Sequence, residues 1–278
     1  MLDTIFKLGN KKYRVEKEWV ENSSKGLINN ISAISNDKKG NIYVLQRSDP
    51  FMLIFSQDGE LINKWSNKDI IDGHYFEINS NGEISVVDRD HHRIVVLNNR
   101  GEIIRIIGNS EEPGGLGEPF NHPTDISTSI NGDMFVSDGY GNSCVHHLNE
   151  FGELIHTWGK PSSEEGNFIT PHSILVDQKE RVLVADREGN RVQIFNKNGI
   201  YLKEINNLFH PMNIYEDNNG YIYITDQVPT LNVFNPEDEL IGRCRTFGTH
   251  GHGVTVDENN NIYIAEMFPD GLTKLVSI

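Results

Sequence analysis

Three histidines stand at the head of short apolar runs: His74 in DGHYFEI, His172 in TPHSILV and His252 in GHGVTV. An imidazole in that place is ordinarily a hydrogen-bonding loop residue. Three imidazoles at one structural level carry a different meaning. Three His ligands with an open fourth position are the pattern of a catalytic zinc site. Whether these three share a level depends on the elements that carry them.

Those elements repeat. A phrase of alternating apolar residues ending in an acid or its analogue recurs as NIYVLQR (41–47), EISVVDR (83–89), DMFVSDG (133–139), RVLVADR (181–187), YIYITDQ (221–227) and NIYIAEM (261–267). The acid-like position falls at Gln46, Asp88, Asp138, Asp186, Asp226 and Glu266, with gaps of 42, 50, 48, 40 and 40 residues. Six copies at that period predict six four-stranded blades, an all-β six-bladed propeller. In the fourth copy SILVD, RVLVAD, RVQIFN and YLKEI read as successive strands divided by turn formers. A single domain over 1–278 is expected, with blades at roughly 31–65, 73–107, 123–159, 171–206, 211–247 and 251–278. The last copy has three strands of its own, so the N-terminal segment 13–20 is expected to complete its blade and close the ring.

Fourteen residues before each acid-like position stand Ser32, His74, Thr124, His172, Met212 and His252. Histidine occupies the second, fourth and sixth blades. Inner strands of a propeller line its central channel. The three imidazoles are therefore expected to converge on the axis and hold Zn2+ or another divalent transition metal. His122 and His210 lie sixteen before their acids, match each other and not the triad, and read as loop residues. His250 is a channel candidate. His91 and His92 read as solvated turn residues. The repeat acids Asp88, Asp138, Asp186 and Asp226 read as structural, accepting backbone N–H groups of the turn that follows.

Bulk properties narrow the function. Lys+Arg 25 against Asp+Glu 40 leaves a net charge of −15, which repels nucleic acid and anionic membrane. No apolar run approaches the roughly 18 residues that span a bilayer. The opening MLDTIFKLGNKKYRVEKEWV lacks a signal core with a cleavage site. Two cysteines, Cys144 and Cys244, do not make a disulfide framework. These features predict a cytoplasmic monomer acting on a small molecule or peptide.

Two stretches carry a resemblance. HPTDISTSINGDMFVSDGYGNS (122–143) and PHSILVDQKERVLVADREGNRVQIF (171–195) resemble the lyase domain of peptidylglycine α-amidating enzymes, the peptidyl-α-hydroxyglycine α-amidating lyases. Those are six-bladed propellers of the NHL-repeat type. The resemblance implies a zinc on His74, His172 and His252, the positions that the blade count also produces. It implies a catalytic tyrosine at Tyr140 in the DGY motif and a catalytic arginine at Arg47. Arg89 and Arg187 hold the matching place in blades two and four and are candidate substrate contacts. The implied reaction splits the N–C bond of a C-terminal α-hydroxyglycine into a primary amide and glyoxylate. Tyr140 would be the general base and Arg47 the carboxylate clamp. The family's half-cystines are missing, with Gly141, Val182 and Ile194 at or near their places. Its aspartate after the third histidine is Gly253 here, which leaves a structural Ca2+ open. Two other functions stay open: a non-catalytic NHL binding platform, and a metal-dependent propeller hydrolase or lyase on another small substrate. The loops 109–119 and 160–167 are the expected rim.

Overall fold

The computed structural model describes residues 4–278. Among them, strand follows strand, interrupted by two single-turn 3-10 segments, Lys25–Leu27 and Arg89–His91. No helix among the described residues is long and apolar enough to cross a membrane. The strands assemble into six antiparallel sheets taken in chain order. The fold class is the one the repeat predicts, an all-β six-bladed β-propeller. Contacts divide the chain into two compact units: Asp69–Ile214, and the residues before Asp69 together with Tyr215–Ile278.

The Asp69–Ile214 unit holds blades two, three and four. Their inner strands are Gly73–Ile78, Asp125–Thr128 and Pro171–Val176. The second and third strands of blade two, Ile84–Asp88 and Arg93–Leu97, are buried along their whole length, which is why they read as short unbroken apolar runs. The outermost strand, Ile103–Gly108, alternates between half-buried and exposed, as a strand with one wet face does. Apolar layers fill the space between successive sheets: Val87, Val96, Ile126 and Val136 in one, Phe135, Val145, Ile174 and Phe195 in the next. The hairpins close on Asx turns. Asn79 Oδ1 accepts the N–H groups of Asn81 and Glu83, and Asp177 Oδ1 those of Lys179 and Arg181. Gly82 in the first of these turns has φ +80°, which a side chain would resist.

The repeat acids are structural, but they serve a different segment from the one expected. Asp88, Asp138 and Asp186 accept backbone N–H groups from the loop that enters their own blade, while the turn that follows reaches them only through side chains, His91 to Asp88 and Asn142 to Asp138. Asp88 takes the N–H of Asp72, Asp138 that of Asn121, and Asp186 those of Ile169 and Thr170. The carboxylate sits at the end of the second strand, beside the start of the first, so the incoming chain is the nearest row of orphan donors. Arg93 and Arg191, five residues on, bond the same carboxylates from the third strand. Burial raises the Asp186 pKa against the pull of Arg191 and these N–H groups.

The other unit holds blades one and six and the outer strands of blade five. Blade six is His250–Val256, Ile262–Met267 and Gly271–Ser277, and Lys11–Glu16 pairs with the last of these. Ile5–Leu8 adds a fifth strand outside it. The closing strand therefore lies a few residues before the expected 13–20. At Lys17 and Glu18 the chain turns, and Trp19 and Val20 leave the sheet for the core. The Trp19 ring packs edge-on against Phe55 and Tyr263, a burial that outweighs two further ladder positions.

Candidate functional site

The inner strands begin irregularly where the histidines stand. The pairing register shifts between Gly73 and Phe76, between Pro171 and Ser173, and between Gly251 and Gly253. Blade one shifts likewise between Ile31 and Ala33. A bulge of this kind leaves an extra residue unpaired and re-aims its side chain. His74, His172 and His252 fall at those bulges.

In the Asp69–Ile214 unit the side chains of His74 and His172 meet. Both are fully buried, and their ring centroids are 4.9 Å apart. Each offers a nitrogen within 4.8 Å of the other's. Their outer nitrogens are held alike. His74 Nδ1 bonds the carbonyl of Thr124 at 2.7 Å, and His172 Nδ1 that of Met212 at 2.8 Å. A carbonyl only accepts, so both Nδ1 atoms carry the proton and both Nε2 atoms present a lone pair. Thr124 and Met212 are the next blades' residues at the same repeat position. Tyr75 donates its hydroxyl to the same Met212 carbonyl at 3.1 Å.

Tyr140 reaches over from the loop after Met134–Asp138. Its hydroxyl lies 3.1 Å from His74 Nε2 and 3.0 Å from His172 Nε2. Arg187 donates Nη1 to the same oxygen at 3.1 Å. The Arg187 and Arg89 guanidiniums also lie 5.3 and 5.5 Å from the centre of the Tyr140 ring. Arg187 is steadied by Glu188, and Arg89 by Asp72 and Asp90. Burial works against the Arg187 charge, but the Tyr140 oxygen and Glu188 outweigh it and leave its pKa above the usual value. Tyr140 is 38% exposed as a residue.

This cluster is rich in lone pairs. One phenolic proton can satisfy only one of the two Nε2 atoms. The other nitrogen then faces an oxygen lone pair at hydrogen-bond distance. A divalent cation resolves that conflict, and two neutral imidazoles beside a phenol oxygen suit a borderline transition metal. The donor set thus fits the zinc that the resemblance implies.

His252 lies in the other unit and has the same local setting. It is buried between Gly251 and Gly253, and Nδ1 bonds the carbonyl of Ser32, again the next blade's residue at that repeat position. At Gly253 a Cβ would come within 3.0 Å of the Ile34 nitrogen, so the position has neither a carboxylate nor room for one. Arg47 follows the strand Ile42–Gln46, with its own N–H on the Asn30 carbonyl. His250 sets its ring at right angles to Phe268.

Other histidines differ from their reading. His92 is buried, not solvated: its Nδ1 accepts the N–H of His122, and the two rings stand 4.3 Å apart. Burial, then His122, lowers its pKa. Asn190 Oδ1 does the same for the N–H of His210 in blade four, so the contact belongs to the blade junction. Asp138, Cys144 and His146 form a second buried group with ligand atoms within 4.8 Å. There Asp138 already accepts from Asn121, Asn142 and His146, and burial keeps the Cys144 thiol protonated by raising its pKa. Neither cysteine is in a disulfide. Where the resembling family has a half-cystine, a Cβ on Gly141 would lie 2.3 Å from the Asn121 side chain, which fills that space. Sequence reasoning also passed over Glu77 and Asp125. Burial pushes both up to about 7, although hydroxyls and N–H groups partly offset it. A lone Glu and a lone Asp in strand-like runs carried no signal that distinguished them.

Comparison with known proteins agrees with the repeat fold. Residues 168–195 match the model of the NHL repeat. The chain is 30% identical over 216 residues to mouse peptidyl-glycine alpha-amidating monooxygenase, which covers 69% of this chain and 22% of that protein. It is 23% identical to Drosophila melanogaster peptidyl-alpha-hydroxyglycine alpha-amidating lyase 1, over 96% of this chain and 60% of that one. The chain is a distant homologue of these amidating enzymes. It spans about a fifth of the length of the mouse protein and most of human NHL repeat-containing protein 3, at 25% identity, 96% of this chain and 84% of that one. Among solved structures, a streptogramin B lyase aligns with a TM-score of 0.68 over 96% of this chain and 98% of that chain at 13% identity, a likeness of fold.

Proposed function

We propose that the chain is a metal-dependent carbon–nitrogen lyase that cleaves a carbinolamide of the α-hydroxyglycine type. The observation that carries the proposal is the Tyr140 hydroxyl, shared by His74 Nε2, His172 Nε2 and Arg187 Nη1. His74 and His172 would hold a zinc-like ion, with His252 as third ligand on the strength of its equivalent repeat position and tautomer. Such an ion lowers the pKa of an oxygen bound to it.

This chain's residues supply the rest. Tyr140, its oxygen held beside the Arg187 guanidinium, would act as general base for the proton of the substrate's α-hydroxyl. The hydroxyl's electron pair forms the aldehyde C=O as the C–N bond breaks, and the bond's electrons remain on nitrogen. The proton passes from Tyr140 to that nitrogen, so a primary amide and glyoxylate leave with no net change in protons. Arg187 and Arg89 flank the phenol ring and would bind the substrate carboxylate, with Arg47 as a further clamp. The substrate is a small molecule or peptide and the working unit a monomer.

The experiment is metal analysis followed by an assay for glyoxylate from an α-hydroxyhippurate. One zinc per chain and glyoxylate release are expected. Metal without release would point to a different carbinolamide or ester substrate. No transition metal at all would favour a binding platform, the reading that the near full-length match to NHL repeat-containing protein 3 keeps in view.

A further inference from the structure

The turn that carries Tyr140 runs from Asp138, at the end of the strand Met134–Asp138, to Cys144, at the start of the strand Cys144–Leu148. Ser143 Oγ fastens its far end to the Ile169 carbonyl at 2.9 Å. The Tyr140 N–H itself makes only a long bond, 3.4 Å to the His122 carbonyl. The near end and the middle rest on Asp138. Both of its carboxylate oxygens accept the N–H of Asn121, at 3.0 and 2.9 Å, and Oδ2 also accepts Asn142 Nδ2 at 2.9 Å. Asn142 Nδ2 lies 3.2 Å from the carbonyls of Gly115 and Glu118 as well, so it ties the turn to the loop before the blade. What holds this carboxylate differs from blade to blade. Directly opposite Asp88 and Asp186 on the third strands stand Arg93 and Arg191, which bond them. Opposite Asp138 stands Cys144, and the group that meets Oδ2 is the fully buried His146, whose Nε2 is 3.0 Å away.

We infer that His146 is a positioning residue for Tyr140: its imidazolium takes the place of the arginine, fixes Asp138, and through Asp138 sets the turn that aims the phenol at His74 and His172. The inference rests on the reading of Tyr140 as the base. The charge of the ring follows from its two partners. Nδ1 lies 2.8 Å from Thr157 Oγ1, and the single hydroxyl proton of Thr157 goes to the Gly117 carbonyl at 3.2 Å. Thr157 Oγ1 therefore accepts from Nδ1–H. Asp138 Oδ2 accepts from Asn121 and Asn142, so Nε2 donates to it as well, and a ring that donates from both nitrogens carries a charge. No lone pair is left on Nε2 for a metal ion, and Cys144 Sγ, 3.6 Å from Nε2, stands by as a thiol. A neutral ring with a bare Nε2 would turn a lone pair on the carboxylate and leave a buried charge without its counterpart. Asp138 would then release Asn121 and Asn142, and the turn with them. A shift of about 1 Å in a reacting group is enough to cost about 10^2-fold in rate.

His146→Gln in the full chain keeps a donor and removes the charge. In the folded variant kcat for glyoxylate release should fall about 10–100-fold while KM holds, the mark of a misplaced base. Adding Cys144→Arg copies the Arg191 and Gln193 of blade four and should restore most of kcat. A purely structural role would lower the melting temperature and leave the kcat of folded protein unchanged. The phenol is also read without any reaction, from the 13Cζ resonance of Tyr140 in tyrosine-labelled protein, assigned by its loss in Tyr140→Phe. That resonance should move in His146→Gln and return in the double variant. If the wild type releases no glyoxylate, the lyase reading fails and the resonance alone decides the positioning. Should His146→Gln not fold, Thr157→Val, which removes the acceptor of Nδ1–H, should move kcat and the resonance in the same direction by less. An unshifted Tyr140 resonance with unchanged kcat in the folded variant overturns the inference. So does a double variant that regains the melting temperature but neither kcat nor the resonance.

Discussion

Blades two, four and six differ from blades one, three and five at a single repeat position, and the difference divides one backbone geometry between two tasks. In the even blades the position carries His74, His172 and His252. In the odd blades it carries Thr124, Met212 and Ser32, and what matters there is the carbonyl, which receives the Nδ1–H of the preceding blade's histidine. A side chain provides the ligand and a main chain orients it. The orienting group cannot be removed by substitution, which frees the odd side chains to vary.

The largest expected effect tests the even blades. His172→Ala should lose the bound metal and at least about 10^3-fold in glyoxylate release, while Met212→Leu keeps both, read by metal analysis and initial rates. Tyr140→Phe should retain the metal and lose about 10^2–10^4-fold in kcat, the range for a positioned general base. Arg187→Lys keeps the charge without the fork and should cost about 10–100-fold, seen mainly in KM if Arg187 binds the carboxylate and mainly in kcat if it positions the Tyr140 oxygen.

The smaller effects are in stability, where blade two meets blade three. Glu77 and Asp125 have folded pKa values raised by burial to about 7, from unfolded values of 4.5 and 3.8. Their contribution is complete below the unfolded values and lost as pH rises through 7. The melting temperature should therefore fall between pH 5 and pH 8. Glu77→Gln with Asp125→Asn should flatten that slope. Thr124→Val should cost about 1–2 kcal/mol, because Thr124 Oγ1 donates to the buried Pro171 carbonyl at 2.7 Å. An unchanged denaturation midpoint would show that the hydroxyl is dispensable to the odd blades.

Much of this architecture is legible in the amino-acid sequence. The repeat acids locate the second strands because each blade must anchor the loop that enters it, and counting back from them locates the histidines. The direction of the anchor is not legible, since the turn after a strand and the loop before its neighbour are equally close in sequence. Nor is the closing strand's end, which Trp19 settles by burying its ring. The resemblance places the catalytic arginine at Arg47. The geometry of the Asp69–Ile214 unit puts Arg187 on the Tyr140 oxygen, and the sequence marks it only as one of three arginines in equivalent places.

By itself the sequence determined the strand pattern, the period, and which residue types occupy each repeat position, because period-two burial and fixed turn chemistry act over a few neighbours. Only the tertiary structure decided that the imidazoles of residues 74 and 172 share one phenol, and which tautomer each holds. Those facts depend on bulges and on which carbonyl of the next blade lies within hydrogen-bond reach, distances set by sheet packing across some 30 to 65 residues of intervening chain.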